Sequence, residues 1–229
     1  MDIKLQIILG YILADLFTAF AHWIEDTYID YNSKIPFIKI IAKDNEFHHY
    51  FPRGIVGNTY FENIKIPLII IMPIFIFIYF YNSKTLLDYP YLYGTLFFLL
   101  IISNIIHRWC HMRDCELPKI VILLQKIRIL GSRSTHHSAH HSIDSSQHYC
   151  VISSYLNPIL EKINFWRILE NIIYISTGIQ PNRRGTVDDY KEIHTYLHEN
   201  LKSECPNPPT KKEIDMLTNI LDEHMAKQK

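Results

Sequence analysis

The chain has 229 residues, enough for one sizeable domain, and its 23 basic and 23 acidic side chains cancel. That balance lacks the basic footprint of a nucleic-acid binder, so no nucleic-acid partner is expected. Mean hydropathy is zero because very apolar segments offset very polar ones, and the apolar ones are long enough to raise the question of a bilayer.

Leu5–Ala21 carries one charge, Asp15. It lacks a basic start and a small-residue cleavage site, so it reads as a retained span rather than a leader. His22 and Asp26 follow it, and a loop then carries His48 and His49. Ile66–Tyr81 has no charge, "NSKTLLDY" reads as a turn, and Pro90–Ile106 forms a third apolar run leading into "HRWCH". Each run is near the lower limit of about 17 to 25 residues for a spanning helix, and aromatic rings crowd the ends as they do at headgroup level. In Leu117–Leu130, Lys119, Lys126 and Arg128 interrupt the apolar pattern, which suits a helix lying in the interface. The polar end of the chain, with "DDYKEIHTYLHENL" and a second short helix joined by "PNPP", carries no legible function. Cys110, Cys115, Cys150 and Cys205 form neither a zinc motif nor a disulfide framework and fit a reducing compartment.

Three spans place the histidines of the chain on one face of the membrane. Lys34, Lys39, Lys43, Arg53 and the basic residues from Arg108 onward fall on that face, and short basic loops stay cytosolic. A fourth full span would put His107 and His136 on opposite sides.

Residues four apart on a helix share a face, which lets two side chains reach one metal ion. His107 with His111, His136 with His140, His137 with His141, and His22 with Asp26 all have this spacing, and His48 and His49 add a further cluster. These are too many ligands for one tetrahedral zinc, and the HExxH signature of hydrolytic zinc is absent. About eight imidazoles with one carboxylate suit two iron ions with open positions for O2. Asp15, seven residues before His22, and Asn104, three before His107, are placed to accept hydrogen bonds from imidazoles and fix their tautomers. His148, His194, His198 and His224 stand apart from these clusters.

The stretches "ADLFTAFAHWIEDTY", "NIIHRWCHMRDCELPKIVILLQ" and "STHHSAHHSIDSSQHYCVISSYLNPILEKINFWRILENIIYISTGIQP" resemble the Kua-type lipid desaturase family, which includes plasmanylethanolamine desaturases and CarF-like proteins. The resemblance runs from about Asp15 to Pro181. It implies an all-α membrane protein with about three transmembrane helices, an interfacial helix, a cytosolic histidine-rich di-iron cap and a polar C-terminal helical tail. Residues 1–186 would be the desaturase domain and 187–229 the tail. It further implies His22, His48, His49, His107, His111, His136, His140 and His141 as metal ligands. His137 matches a family histidine and is counted with them, and Asp26 is an additional required carboxylate.

The implied reaction uses O2 and electrons from a cytochrome b5-type donor to form the vinyl-ether bond of plasmalogens from a plasmanyl-ethanolamine phospholipid. The implied location is the endoplasmic reticulum or a related intracellular membrane, with the site facing the cytosol. An acyl-lipid desaturase or hydroxylase on another glycerophospholipid is the alternative, and a degenerate metal-binding scaffold is the non-enzymatic one. One departure from the family pattern is Phe47, directly before His48, where a glutamate is usual.

Overall fold

The computed structural model describes residues 1–137, 140–141, 146–182 and 205–227, which form helices and turns with no strand among them. The segment "DDYKEIHTYLHENL", with His194 and His198, lies outside the described residues.

Helix α1 (Ile3–Tyr28) starts where the Asp2 carboxylate accepts from the Lys4 amide at 3.2 Å. Its buried residues include Gln6, Gly10, Ala14, Thr18, His22 and Asp26, one every fourth position, so they form one stripe. Small residues there let a second helix approach closely: a Cβ on Gly10 would stand 2.5 Å from the Leu92 carbonyl oxygen. After α2 (Pro36–Tyr50) and the single turn α3 (Gly54–Gly57) comes α4 (Tyr60–Asp88). Thr59 and Glu62 cap its start reciprocally. Helix α5 (Pro90–His111) returns beside α4 and packs along α1.

Helices α1, α4 and α5 are long and apolar enough to cross a membrane, in agreement with the three apolar runs. None of the most apolar part of α4 is buried, so away from α5 it faces lipid. The far-side segment after Tyr81 is helical rather than a loop. The helix breaks only at Asn82 (φ −150°, ψ 59°), whose side chain accepts from the Thr85 amide and restarts it.

The expected interfacial helix is α6 (Lys119–Lys126), too short to span. It buries Val121 and turns Ile120 and Leu123 outward. Two further helices, α7 (Asn157–Lys162) and α8 (Phe165–Thr177), are joined by Asn164 in the left-handed conformation. They pack on the end of α1 through Trp23, Tyr149, Cys150, Leu160 and Trp166.

The last helix, α9 (Lys211–Lys227), seats Leu217 and Leu221 against Tyr50 and Phe51 beside α2. Asp222 accepts from Lys43 Nζ at 2.7 Å and from the Tyr31 hydroxyl. The cysteine expectation is corrected here. Cys115 and Cys205 form a disulfide across a sequence separation of 90, with Cα atoms 6.0 Å apart. Their spacing hides the pairing because the fold, not the local sequence, brings them together. Cys110 and Cys150 are buried thiols.

Candidate metal centre

The C-terminal ends of α1, α2 and α5 carry the candidate ligands. His22 and Asp26 lie in the last turns of α1, His48 and His49 in the last turn of α2, and His107 and His111 in the last turns of α5. A helix C-terminus carries partial negative charge, so each of these ends favours a cation. His136 lies in a π-helical turn (Arg133–His137), and His140 and His141 follow it. His22, His48, His49, His107, His111, His136, His140 and Asp26 are buried.

These side chains form two groups of four. His22, Asp26, His49 and His140 make one; His48, His107, His111 and His141 make the other; within each group the ligand atoms all lie within 4.8 Å of one another. Two of the three histidine doublets are thus divided: His49 and His140 go to the first group, His48 and His141 to the second. His136 belongs to neither group of four, but its Nε2 is 3.2 Å from His107 Nε2 and its ring stacks on His140. The side chain of His137 lies outside the described residues.

Hydrogen bonds decide which nitrogen faces inward in the first group. His22 Nδ1 donates to the Tyr149 carbonyl at 3.3 Å, and His140 Nδ1 donates to the Gln147 carbonyl at 2.6 Å. A carbonyl can only accept, so both rings carry a proton on Nδ1 and turn Nε2 toward Asp26. The Asp26 Oδ2 atom stands 3.6 Å from His22 Nε2 and 3.2 Å from His140 Nε2, and Oδ1 stands 2.9 Å from His49 Nε2. Nε2 of both rings therefore converges with the Asp26 carboxylate in a buried space, an arrangement that a shared cation fits. At the second group, His48 Nε2 and, from outside it, His136 Nε2 both crowd His107 Nε2, at 3.1 and 3.2 Å. One ring nitrogen has a single in-plane position to offer, so this convergence also fits a bound ion better than a hydrogen-bond network. The donor set, seven imidazoles and one carboxylate in two groups, matches the chemistry of borderline transition metals.

Asp15 differs from its expected role. Its carboxylate accepts from the amides of Ile152 and Ser153, at 3.0 Å each, and from the Ser153 hydroxyl, and from no imidazole among the described residues. Buried amides need acceptors, and those two satisfy a carboxylate that the pattern alone assigned to His22. Its influence on the site is indirect, because the strand of chain it pins also carries the Gln147 and Tyr149 carbonyls. Asn104 is half-buried and makes no hydrogen bond to an imidazole among the described residues. Asn45, which sequence reasoning passed over, donates to Asp26 Oδ1 at 3.0 Å; its position four residues before His49 could have drawn attention to it. Arg53 was also missed: it donates to both Glu116 oxygens at 2.9 Å and to the His111 carbonyl at the end of α5. The backbone carbonyls left no sequence signal.

Phe47, the departure from the family pattern, serves an apolar contact. Its ring covers Gly54, where a Cβ would meet it at 2.3 Å, and lies 5.2 Å from the Phe51 ring, so it joins the apolar contact with α9. His148 Nδ1 is 3.1 Å from Glu161, apart from both groups, and the His224 ring lies 5.5 Å from that of Tyr50.

Residues 11–184 match the family model of the lipid desaturase domain, and the chain belongs to that family. A protein of Acanthamoeba polyphaga mimivirus described as a probable fatty acid desaturase is 34% identical over 192 residues, covering 80% of this chain and 88% of its own length. Fatty acid desaturase 4-like 2 of Arabidopsis thaliana chloroplasts is 29% identical, covering 80% of this chain and 63% of its own length. Plasmanylethanolamine desaturase 1 of Mus musculus is 29% identical, covering 82% of this chain and 69% of its own length. No solved structure matches the chain.

Proposed function

We propose that this chain is an O2-dependent membrane desaturase that holds two iron ions and introduces a double bond near the headgroup of a glycerophospholipid chain. The observation that carries this reading is the division of the His48–His49 and His140–His141 doublets between two four-ligand groups. In this reading His22, Asp26, His49 and His140 hold one ion and His48, His107, His111 and His141 the other. His136 stands beside His107, and His137 is counted with the same set.

Bound iron would supply the oxidising power that side-chain acid–base chemistry lacks for an unactivated C–H bond, and imidazole withstands such chemistry better than thiolate. The chain's own work is to orient. The Gln147 and Tyr149 carbonyls hold the Nδ1 protons of His140 and His22, so that Nε2 faces the ion. Asn45 steadies Asp26. The apolar lengths of α1 and α5, whose ends carry the ligands, would lead a lipid chain to the site.

The preferred substrate is a plasmanyl-ethanolamine lipid, converted to the vinyl ether of a plasmalogen, with electrons from a cytochrome b5-type donor. The mouse relative's name supports this choice. The names of the viral and chloroplast relatives favour a second reading, desaturation of an acyl chain. We take residues 1–186 as the desaturase domain, in the endoplasmic reticulum or a related membrane, with the site facing the cytosol. The basic loops support that orientation. The Cys115–Cys205 disulfide pulls the other way, since such bonds are rare in the cytosol. Several independent basic residues carry more weight for the orientation than one disulfide.

The test is expression in cells lacking plasmanylethanolamine desaturase, beside a His107→Ala variant, with vinyl-ether lipids measured by mass spectrometry. Restoration by the wild type alone establishes the reaction and the site. Membrane-inserted protein that restores none removes the plasmalogen reading, and a new acyl double bond in the same extracts establishes the second.

A further inference from the structure

Helix α8 is apolar on two faces. One face, with Trp166, Leu169 and Ile173, packs on the aromatic cluster at the end of α1. The other presents Ile168, Ile172 and Ile175, followed by Ile179 just beyond the helix, all at least half exposed. Its charged residues, Arg167 and Glu170, pair with each other at 2.7 Å, and Arg167 also donates to Ser146. The hydroxyls of Ser176 and Thr177 donate to the Ile172 and Ile173 carbonyls, each at 2.7 Å. Hydroxyls folded back in this way are satisfied without water.

We infer that α8 is an in-plane membrane anchor whose isoleucine face lies among the acyl chains of the leaflet on the histidine side. Its first turn, and the chain five residues beyond its last, are fixed where α1 approaches the membrane surface. Trp166 packs on Phe20 and Trp23, and beyond the helix the Asn182 amide donates to the Thr27 carbonyl at 2.7 Å. At that depth α1 itself still turns Phe17 and Ile24 outward, so the lipid-facing surface of the span continues onto α8. With 13 residues the helix is about 20 Å long, too short to cross. Asn171 and Tyr174, exposed beside the isoleucines, suit the headgroup boundary. The inference goes beyond the desaturase reading and stands or falls separately from it.

Full-length protein carrying a spin label at Ile172→Cys, reconstituted in phosphatidylcholine vesicles, tests the anchor by comparing collisions with oxygen and with a water-soluble nickel chelate. Ile76→Cys on α4 supplies the lipid standard and Lys212→Cys on α9 the water standard. An oxygen-to-nickel ratio well above that of Lys212→Cys and toward that of the mid-span Ile76→Cys is the expected result. A ratio matching Lys212→Cys overturns the anchor, because the face would then be in water. Exclusion of both reagents overturns it too, because protein, such as a second copy of the chain, would then cover the face. An Ile175→Cys label must give the same answer, which guards against a local disturbance at one position.

Discussion

The two ligand groups share one plan but are built from different helices. In the first, α1 supplies the four-apart pair His22 and Asp26; in the second, α5 supplies the four-apart pair His107 and His111; each doublet, His48–His49 and His140–His141, then gives one ring to each group. The difference is a carboxylate in place of an imidazole. Asp26 brings a negative charge that four neutral rings lack, and in a buried site an unscreened charge weighs heavily. Adjacent residues feeding neighbouring sites also tie the groups together, so a shift in α2 disturbs both.

The largest expected effects separate the groups. His107→Ala and Asp26→Ala each abolish product, and each lowers bound iron from about two ions to about one. Elemental analysis of purified protein reads this directly, and loss of both ions in either variant would show that the groups are a single unit. In the wild type, stepwise chelation removes the ion of the all-histidine group before the one held by Asp26; simultaneous release contradicts the charge difference.

Smaller effects come from residues that brace one group only. Asn45→Ala leaves Asp26 without its amide donor and weakens metal binding there by about 10- to 100-fold. Glu116→Gln instead loosens the end of α5, because it removes the carboxylate paired with Arg53, and both side chains are largely buried. Breaking such a pair costs about 3 kcal/mol, read as a fall in melting temperature. Burial pushes the Glu116 pKa up, but the hydrogen bonds from Arg53 and the Arg113 amide outweigh it and hold the group below the ordinary carboxylate value. A depressed pKa adds stability above the unfolded value of about 4.3 and loses it as pH falls through the folded value. The wild type therefore loses this contribution on acidification below about pH 4.3, and Glu116→Gln, which lacks the contribution throughout, shows a flatter melting profile there.

The smallest effect belongs to Asp222→Asn. The Lys43–Asp222 pair is more than a third exposed on both sides, so its loss changes stability by about 1 kcal/mol or less. Because it acts through α2, it bears on both groups alike, and a selective loss of one ion would break that expectation.

Much of this was legible in the sequence because it rests on local spacing. The spans, the four-apart pairs and the doublets are periodicities of one helix, and the structure gathers His22, His48, His49, His107, His111, His140, His141 and Asp26 into the two groups. What escaped depends on chain segments far apart. Which ring of a doublet serves which group is set by where α1 and α5 end, not by the doublet. Asp15 was read against its own helix, whereas its partners are 137 and 138 residues away. The tautomers of His22 and His140 rest on backbone carbonyls, which every residue has.

The Cys115–Cys205 bond closes a covalent ring that begins just after α5 and contains α6, the His136–His141 cluster, α7 and α8. Such a ring limits the unfolded chain by about 4 to 5 kcal/mol for a loop of this size. It also changes what a broken chain means. A single protease cut between α8 and Cys205 leaves the last helix attached to the end of α5, and the two pieces travel as one molecule until a reductant parts them.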